Sequence, residues 1–208
     1  MEHQIQINKS AIYQTFGDPE KADTILFALH GYGQLSKFFI RKFQAMPKNY
    51  FIVAPEGFHR FYLNGTDGRV GASWMTKEKR IDDIKDYVLF LNKLWSELDQ
   101  TYSFKKRVLL GFSQGGATAA RWLSMGNLKA DKFILWAGVF PPDMQENWDE
   151  TFQHSSNIFV VGEEDPYFTP EKIKEHITFF KTKMPNFSTF TFKGPHNIDK
   201  DTLLKICT

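Results

Sequence analysis

The order of apolar runs predicts an α/β fold: a mostly parallel sheet with helices on both faces and an antiparallel hairpin at the N-terminus. Three observations carry this. Continuous apolar runs at Thr24–Leu29, Tyr50–Ala54, Lys132–Ala137 and Asn157–Val161 read as strands apolar on both faces, which belong in the middle of a covered sheet. Segments with apolar residues at helical spacing lie between them, and alternating strands and helices imply parallel pairing. Finally, Gly111-Phe112-Ser113-Gln114-Gly115-Gly116 joins the run Arg107–Leu110 directly to an Ala-rich helical stretch.

Each element has a local reason. Ile5 and Ile7 alternate with polar residues and Ala11–Phe16 follows at once, predicting two short edge strands paired as the N-terminal hairpin and closed by Gly17-Asp18-Pro19-Glu20. The first buried strand runs into His30-Gly31-Tyr32-Gly33, and Leu35–Met46 reads as a helix stopped by Pro47. The strand at Tyr50–Ala54 ends at Pro55. Glu56–Lys79 carries four glycines without a clear period and reads as a long loop of the kind that serves function. Ile81, Ile84, Val88, Leu91, Leu94, Trp95 and Leu98 then form a helical stripe that packs on a sheet.

Ala117–Met125 reads as the next helix, ended by Gly126-Asn127, and Gly138–Ser156 as loop. Thr169-Pro170-Glu171 opens a helix with a capping hydroxyl and a proline at its first position. Phe187–Lys193 is the last strand and Asp199–Ile206 the closing helix. The 208 residues show neither a composition break nor an internal repeat, so residues 1–208 are expected to form one domain.

Composition narrows the function classes. With 42% hydrophobic and 24% charged residues the chain can bury a sizeable core. Its net charge is +2 and its densest basic cluster, Lys105-Lys106-Arg107, sits at a strand entrance, which argues against nucleic acid as a partner. Cys207 is the only cysteine, so no intrachain disulfide forms. Met1–Gln6 has no basic leader, and no apolar segment approaches the ~20 residues of a membrane span, making the cytoplasm the default location.

In a parallel sheet the chemistry lies beyond the carboxyl ends of the strands. Four exits carry reactive or donor groups: His30-Gly31-Tyr32, Ser113-Gln114, Asp165 and His196. The Gly-x-Ser-x-Gly string at Ser113 reads as a nucleophile elbow, a sharp strand-to-helix turn that tolerates only small residues two positions to either side. A serine hydroxyl needs an adjacent base, and His196, in a loop after the final strand, suits that role better than His3, His59, His154 or His176. Asp165, followed by Pro166, is the acid expected to orient it, with Glu163, Glu164, Asp199 and Asp201 as competitors. Backbone N–H groups of Gln114 and of Tyr32, flanked by Gly31 and Gly33, would hold an oxyanion. His30 reads as a structural brace. No P-loop Lys-Ser/Thr follows the glycines, and no His-Glu-x-x-His pattern offers a metal site.

So assembled, the chain resembles the α/β-hydrolase superfamily, and within it the phospholipase/carboxylesterase group that includes acyl-protein thioesterases. Leu29-His30-Gly31-Tyr32-Gly33, Ala72-Ser73-Trp74, the Gly111–Gly116 string, Gly162 through Asp165-Pro166, and Pro195-His196 carry the likeness. It implies a hydrolase without a large lid domain and without metal or organic cofactor, cleaving small-molecule esters or thioesters through an acyl-enzyme. The roles it implies are Ser113 as nucleophile, His196 as base, Asp165 as acid, and the Tyr32 and Gln114 amides as oxyanion donors. Tyr32 stands where the group often has Leu, Pro195 replaces its usual Gly, and the segment around Trp74 is short. The first two changes leave the mechanism intact, and the loop change bears on substrate choice, for which Trp74, Phe140 and Phe168 are the expected pocket walls. An inactive binding protein on the same fold, or an acyltransferase or lactone hydrolase using the same serine, are the alternative readings.

Overall fold

The computed structural model describes residues 1–144, 150–184 and 186–207. Its centre is a seven-stranded sheet in the order β1-β3-β2-β6-β7-β8-β9, and a separate two-stranded sheet pairs β4 with β5. The strands are β1 Tyr13–Phe16, β2 Thr24–Leu29, β3 Tyr50–Pro55, β4 His59–Asn64, β5 Asp67–Ser73, β6 Lys106–Phe112, β7 Lys132–Trp136, β8 Ser156–Gly162 and β9 Phe187–Phe192. The helices are α1 Ser36–Phe39, α2 Arg80–Thr101, α3 Gln114–Met125, α4 Pro170–Lys183 and α5 Lys200–Cys207. All neighbours in the large sheet are parallel except β1, which runs antiparallel to β3.

Alternate residues of the buried strands feed two cores. Ile25, Phe27 and Leu29 of β2 face the side covered by α2, α3 and α4, where Leu91, Trp95, Trp122 and Phe180 pack. Leu26 and Ala28 face the opposite side, with Phe39 of α1 and Leu203 and Ile206 of α5. This two-sided burial is what the uninterrupted apolar runs require. The chain leaves β2 for β3 on one side and returns through β6 on the other, so strand order reverses between β2 and β6. Their carboxyl ends lie side by side, with Leu29 opposite Gly111. A crevice at such a reversal is where open α/β sheets bind ligands.

Several local expectations change. Residues 5–7 form no strand: the antiparallel hairpin is β4–β5, and the N-terminal antiparallel element is β1 alone. Ile5 and Ile7 stay exposed, and β1 forms the edge of the sheet without them. The segment read as a loop between Glu56 and Lys79 contains that hairpin, whose turn passes through Gly65, with Gly68 just beyond it in β5, both at positive φ. The helix expected over Leu35–Met46 is a single turn, α1, continued by a 3₁₀ turn at Ile40–Phe43. α3 starts three residues earlier than its apolar pattern, at Gln114, directly on the elbow. Thr169 caps α4, its hydroxyl accepting from the Lys172 N–H, and Pro170 occupies the first turn. Within the stretch 138–156, residues 145–149 lie outside the described residues. Among the described residues no helix is long and apolar enough to cross a membrane.

Candidate active site

Ser113 separates β6 from α3 with φ 54° and ψ −119°, a backbone conformation that non-glycine residues rarely adopt. Such strain costs of order 1–3 kcal/mol and persists only where the surroundings over-determine it. Here the Ser113 N–H donates to the Trp136 carbonyl at 2.9 Å, and the Ser113 carbonyl accepts from the Gly116 N–H at 2.9 Å. A Cβ on Gly111 would lie 2.3 Å from the Gly115 carbonyl oxygen, and one on Gly115 would lie 2.2 Å from that of Leu29. Both glycines are therefore demanded by close packing around the turn. The loop leaving β7 presses on it too, since a Cβ on Gly138 would come within 2.8 Å of the Ser113 carbonyl oxygen. Ala137, just before it, is held at φ 47° with its N–H on the Val160 carbonyl. Nothing in the sequence around Ala137 announced that strain.

The exits of β8 and β9 bring Asp165 and His196 together. Nδ1 of His196 is 2.6 Å from Oδ2 of Asp165, whose side chain is wholly buried. The other carboxylate oxygen accepts from the Tyr167 N–H at 2.9 Å, so both oxygens are engaged. The two loops pack closely because Gly162 lacks a side chain: a Cβ there would lie 2.3 Å from the Gly194 carbonyl oxygen. Glu163 and Glu164, the competing acids, use their N–H groups on the carbonyls of Phe192 and Gly194. The Glu163 carboxylate accepts from Thr191 at the surface, and Asp199 accepts from the Thr202 N–H. The His196 ring contacts two others, Phe112 at 4.8 Å and Tyr167 at 4.8 Å between centroids. Phe112, the last residue of β6, directly precedes Ser113, so the end of this strand sets a ring that seats the imidazole next to the serine. Asn197 anchors the loop, its carbonyl accepting from the Trp136 indole and its side-chain oxygen from Lys42.

The turn after β2 closes the other side of the elbow. A Cβ on Gly31 would be 3.1 Å from that of Ser113 and 3.1 Å from the Phe112 ring. Gly33, at φ 73°, donates its N–H to the Ala72 carbonyl at 2.9 Å, which fastens the turn to β5. Among the described residues, neither the Tyr32 N–H nor the Gln114 N–H has a hydrogen-bond partner. The Gln114 side chain ties α3 to the end of β5. Its Oε1 accepts from the Trp74 N–H at 3.1 Å and its Nε2 donates to the Met75 carbonyl at 3.0 Å.

His30 is a buried brace, as its context suggested. Its Nε2 accepts from the Gly57 N–H at 3.0 Å, which leaves Nδ1 to donate to the Gly31 carbonyl at 2.8 Å. Burial pushes its pKa down to about 4 and keeps the ring neutral.

The three residues expected to wall a pocket are core residues instead. Trp74 is 1% exposed, stacks on His30 and donates its indole N–H to the His30 carbonyl at 2.8 Å. Phe140 packs on Phe152, Phe179 and Phe180, and Phe168 on Phe159 and His176. Each lies next to a strand exit, but its ring turns inward, where the apolar area leaves water. The aromatic rings that stay at the surface beside the strand exits are Tyr32, resting on Phe61, and Tyr167, resting on His196.

A family model described as serine hydrolase (FSH1) matches residues 20–202. The chain belongs to this serine hydrolase family. The matched span includes all four strand exits described above, from His30 to His196. No curated protein matches by sequence. Among solved structures, the Zea mays acyl-protein thioesterase 2 aligns with TM-score 0.73 at 15% identity, covering 95% of this chain and 96% of that one. Esterase PE8 aligns with TM-score 0.70 at 16% identity, covering 96% and 98%. A phospholipase/carboxylesterase from Dyadobacter fermentans DSM 18053 aligns with TM-score 0.68 at 17% identity, covering 97% and 96%. At such identities these likenesses establish the α/β-hydrolase fold, whole chain against whole chain.

Proposed function

We propose that this serine hydrolase cleaves carboxylic esters or thioesters of small to medium acyl substrates through an acyl-Ser113 intermediate. The observation that carries the reading is the pair of buried Asp165 with half-buried His196, packed on Phe112, the residue next to a serine held at positive φ. With Nδ1 turned to Asp165, Nε2 is the nitrogen free to take the Ser113 proton as the hydroxyl attacks the carbonyl carbon. The Tyr32 and Gln114 N–H groups stabilise the oxyanion that develops, and among the described residues neither donor has another partner. Collapse of the tetrahedral intermediate breaks the bond to the alcohol or thiol, which leaves with the proton from His196. Water, deprotonated by His196, then attacks the acyl-serine, and the acid departs as Ser113 regains its proton.

The decisive experiment joins labelling by a fluorophosphonate probe to turnover of an ester panel of varied chain length. Wild type is labelled once, at Ser113. Ser113→Ala takes no label and loses roughly 10⁴-fold or more in turnover. Alanine keeps the Cβ that serine already carries there, so the substitution adds no steric demand to the positive φ. Retained turnover in a folded Ser113→Ala protein would sink the assignment, and a folded wild type that is neither labelled nor active would favour a binding protein.

A further inference from the structure

We propose that Tyr167 recognises the leaving group, and that the alcohol or thiol portion of the substrate is flat and apolar. The inference rests on the mechanism proposed above. In it the leaving oxygen or sulfur takes its proton from His196 and must come within hydrogen-bond reach of that ring. The neighbours of His196 therefore wall the leaving-group side of the site.

Among the described residues, Asp165, Phe112 and Tyr167 meet the imidazole through a hydrogen bond or a ring contact. Asp165 occupies Nδ1, and Phe112 is buried and belongs to β6. Tyr167 is the third, meeting the ring edge-on at 4.8 Å and 69°, and it is 66% exposed. Its backbone is nevertheless fixed. The Tyr167 N–H donates to the Asp165 carboxylate, the Phe168 N–H donates to the Asp165 carbonyl at 3.1 Å, and the Phe168 side chain is anchored in the core. A solvent-facing aromatic ring on a pinned turn beside the proton donor is preorganised for an incoming group. Aromatic rings pair with other flat rings more strongly than area alone accounts for, which selects a planar apolar leaving group over a linear one. Tyr32, also largely exposed, belongs to the oxyanion turn after β2, and its ring rests on Phe61.

The test uses two esters with one acyl group and alcohols of similar acidity, 2-phenylethyl acetate and hexyl acetate. Comparison of kcat/KM reports every step through departure of the alcohol. Wild type favours the phenylethyl ester. Tyr167→Ala lowers the phenylethyl-to-hexyl ratio by roughly three- to tenfold, and Tyr167→Phe keeps it. If Tyr167 only braces His196, Tyr167→Ala lowers both esters alike, shifts the pH profile of kcat/KM and leaves the ratio intact, which overturns the proposal. Equal use of both esters by wild type overturns it as well. A wild type that fluorophosphonate labels but whose ratio ignores Tyr167 loses only the leaving-group assignment. One that is neither labelled nor active loses the serine mechanism together with it.

Discussion

Nδ1 of His196 stands 2.6 Å from Oδ2 of Asp165, joining the exit of the sheet's last strand to that of the strand beside it. The carboxylate is buried, and its second oxygen is taken by a backbone N–H, so it has no freedom to turn away from the imidazole. In the proposed mechanism it holds the proton on Nδ1 and steadies the imidazolium.

Asp165→Asn keeps the shape of that contact but offers the ring an amide in place of a carboxylate. The substitution can stabilise the wrong tautomer, and turnover of a small ester is expected to fall about 10⁴-fold. Steady-state kinetics on a protein with an unchanged circular dichroism spectrum checks this. Glu163→Gln and Glu164→Gln serve as controls and lose little. A large loss in either, with Asp165→Asn active, would reassign the acid.

Gln114→Ala tests whether the elbow amide needs its side-chain tether. The substitution removes the Gln114 bonds to the Trp74 N–H and the Met75 carbonyl, two backbone groups just after β5 that hold the start of α3. Oxyanion donors act in the transition state, so kcat is expected to fall while KM stays close to wild type. Small misplacements at a reacting centre cost up to about 10²-fold, which sets the expected range at roughly 10- to 100-fold. A KM effect alone would show that this side chain serves substrate binding instead.

His30 should make the fold acid-sensitive. Burial holds its pKa at about 4, below the ordinary value of 6.5. Between those values the unfolded chain takes up a proton that the folded chain refuses, so stability is lost as pH falls from 6.5 toward 4. The loss attributable to this one group is on the order of 3 kcal/mol. Urea unfolding at pH 7 and pH 4, followed by circular dichroism, should show a smaller acid loss in His30→Gln than in wild type. Identical losses would mean that the ring is not buried as a neutral base.

Cys207 provides a separate check of the packing of α5. It is the only cysteine, it is buried, and desolvation pushes its thiol up to about 11. The thiolate is the reactive form, so the native protein should react with a thiol-specific disulfide reagent far more slowly than the urea-unfolded chain. Rapid modification of one thiol in native buffer would contradict the docking of α5 against the sheet.

What the sequence determined by itself is whatever has a local cause. Buried strands announce themselves as continuous apolar runs, and glycines at 111 and 115 mark a turn that cannot carry side chains, so the sheet, the elbow at Ser113 and the four strand exits were all legible. The hairpin at 59–73 was hidden because glycines interrupt its alternation and its partner is only its own other half. Tertiary structure alone decided where side chains point. It set the Asp165 carboxylate against His196, with Gly162 letting the β8 loop lie close to Gly194. It also turned Trp74, Phe140 and Phe168 inward and left Tyr167 outward against the imidazole. Whether a ring beside a strand exit lines a site or fills a core depends on partners such as Phe152 or Phe180, which come from distant segments and leave no mark on the local sequence.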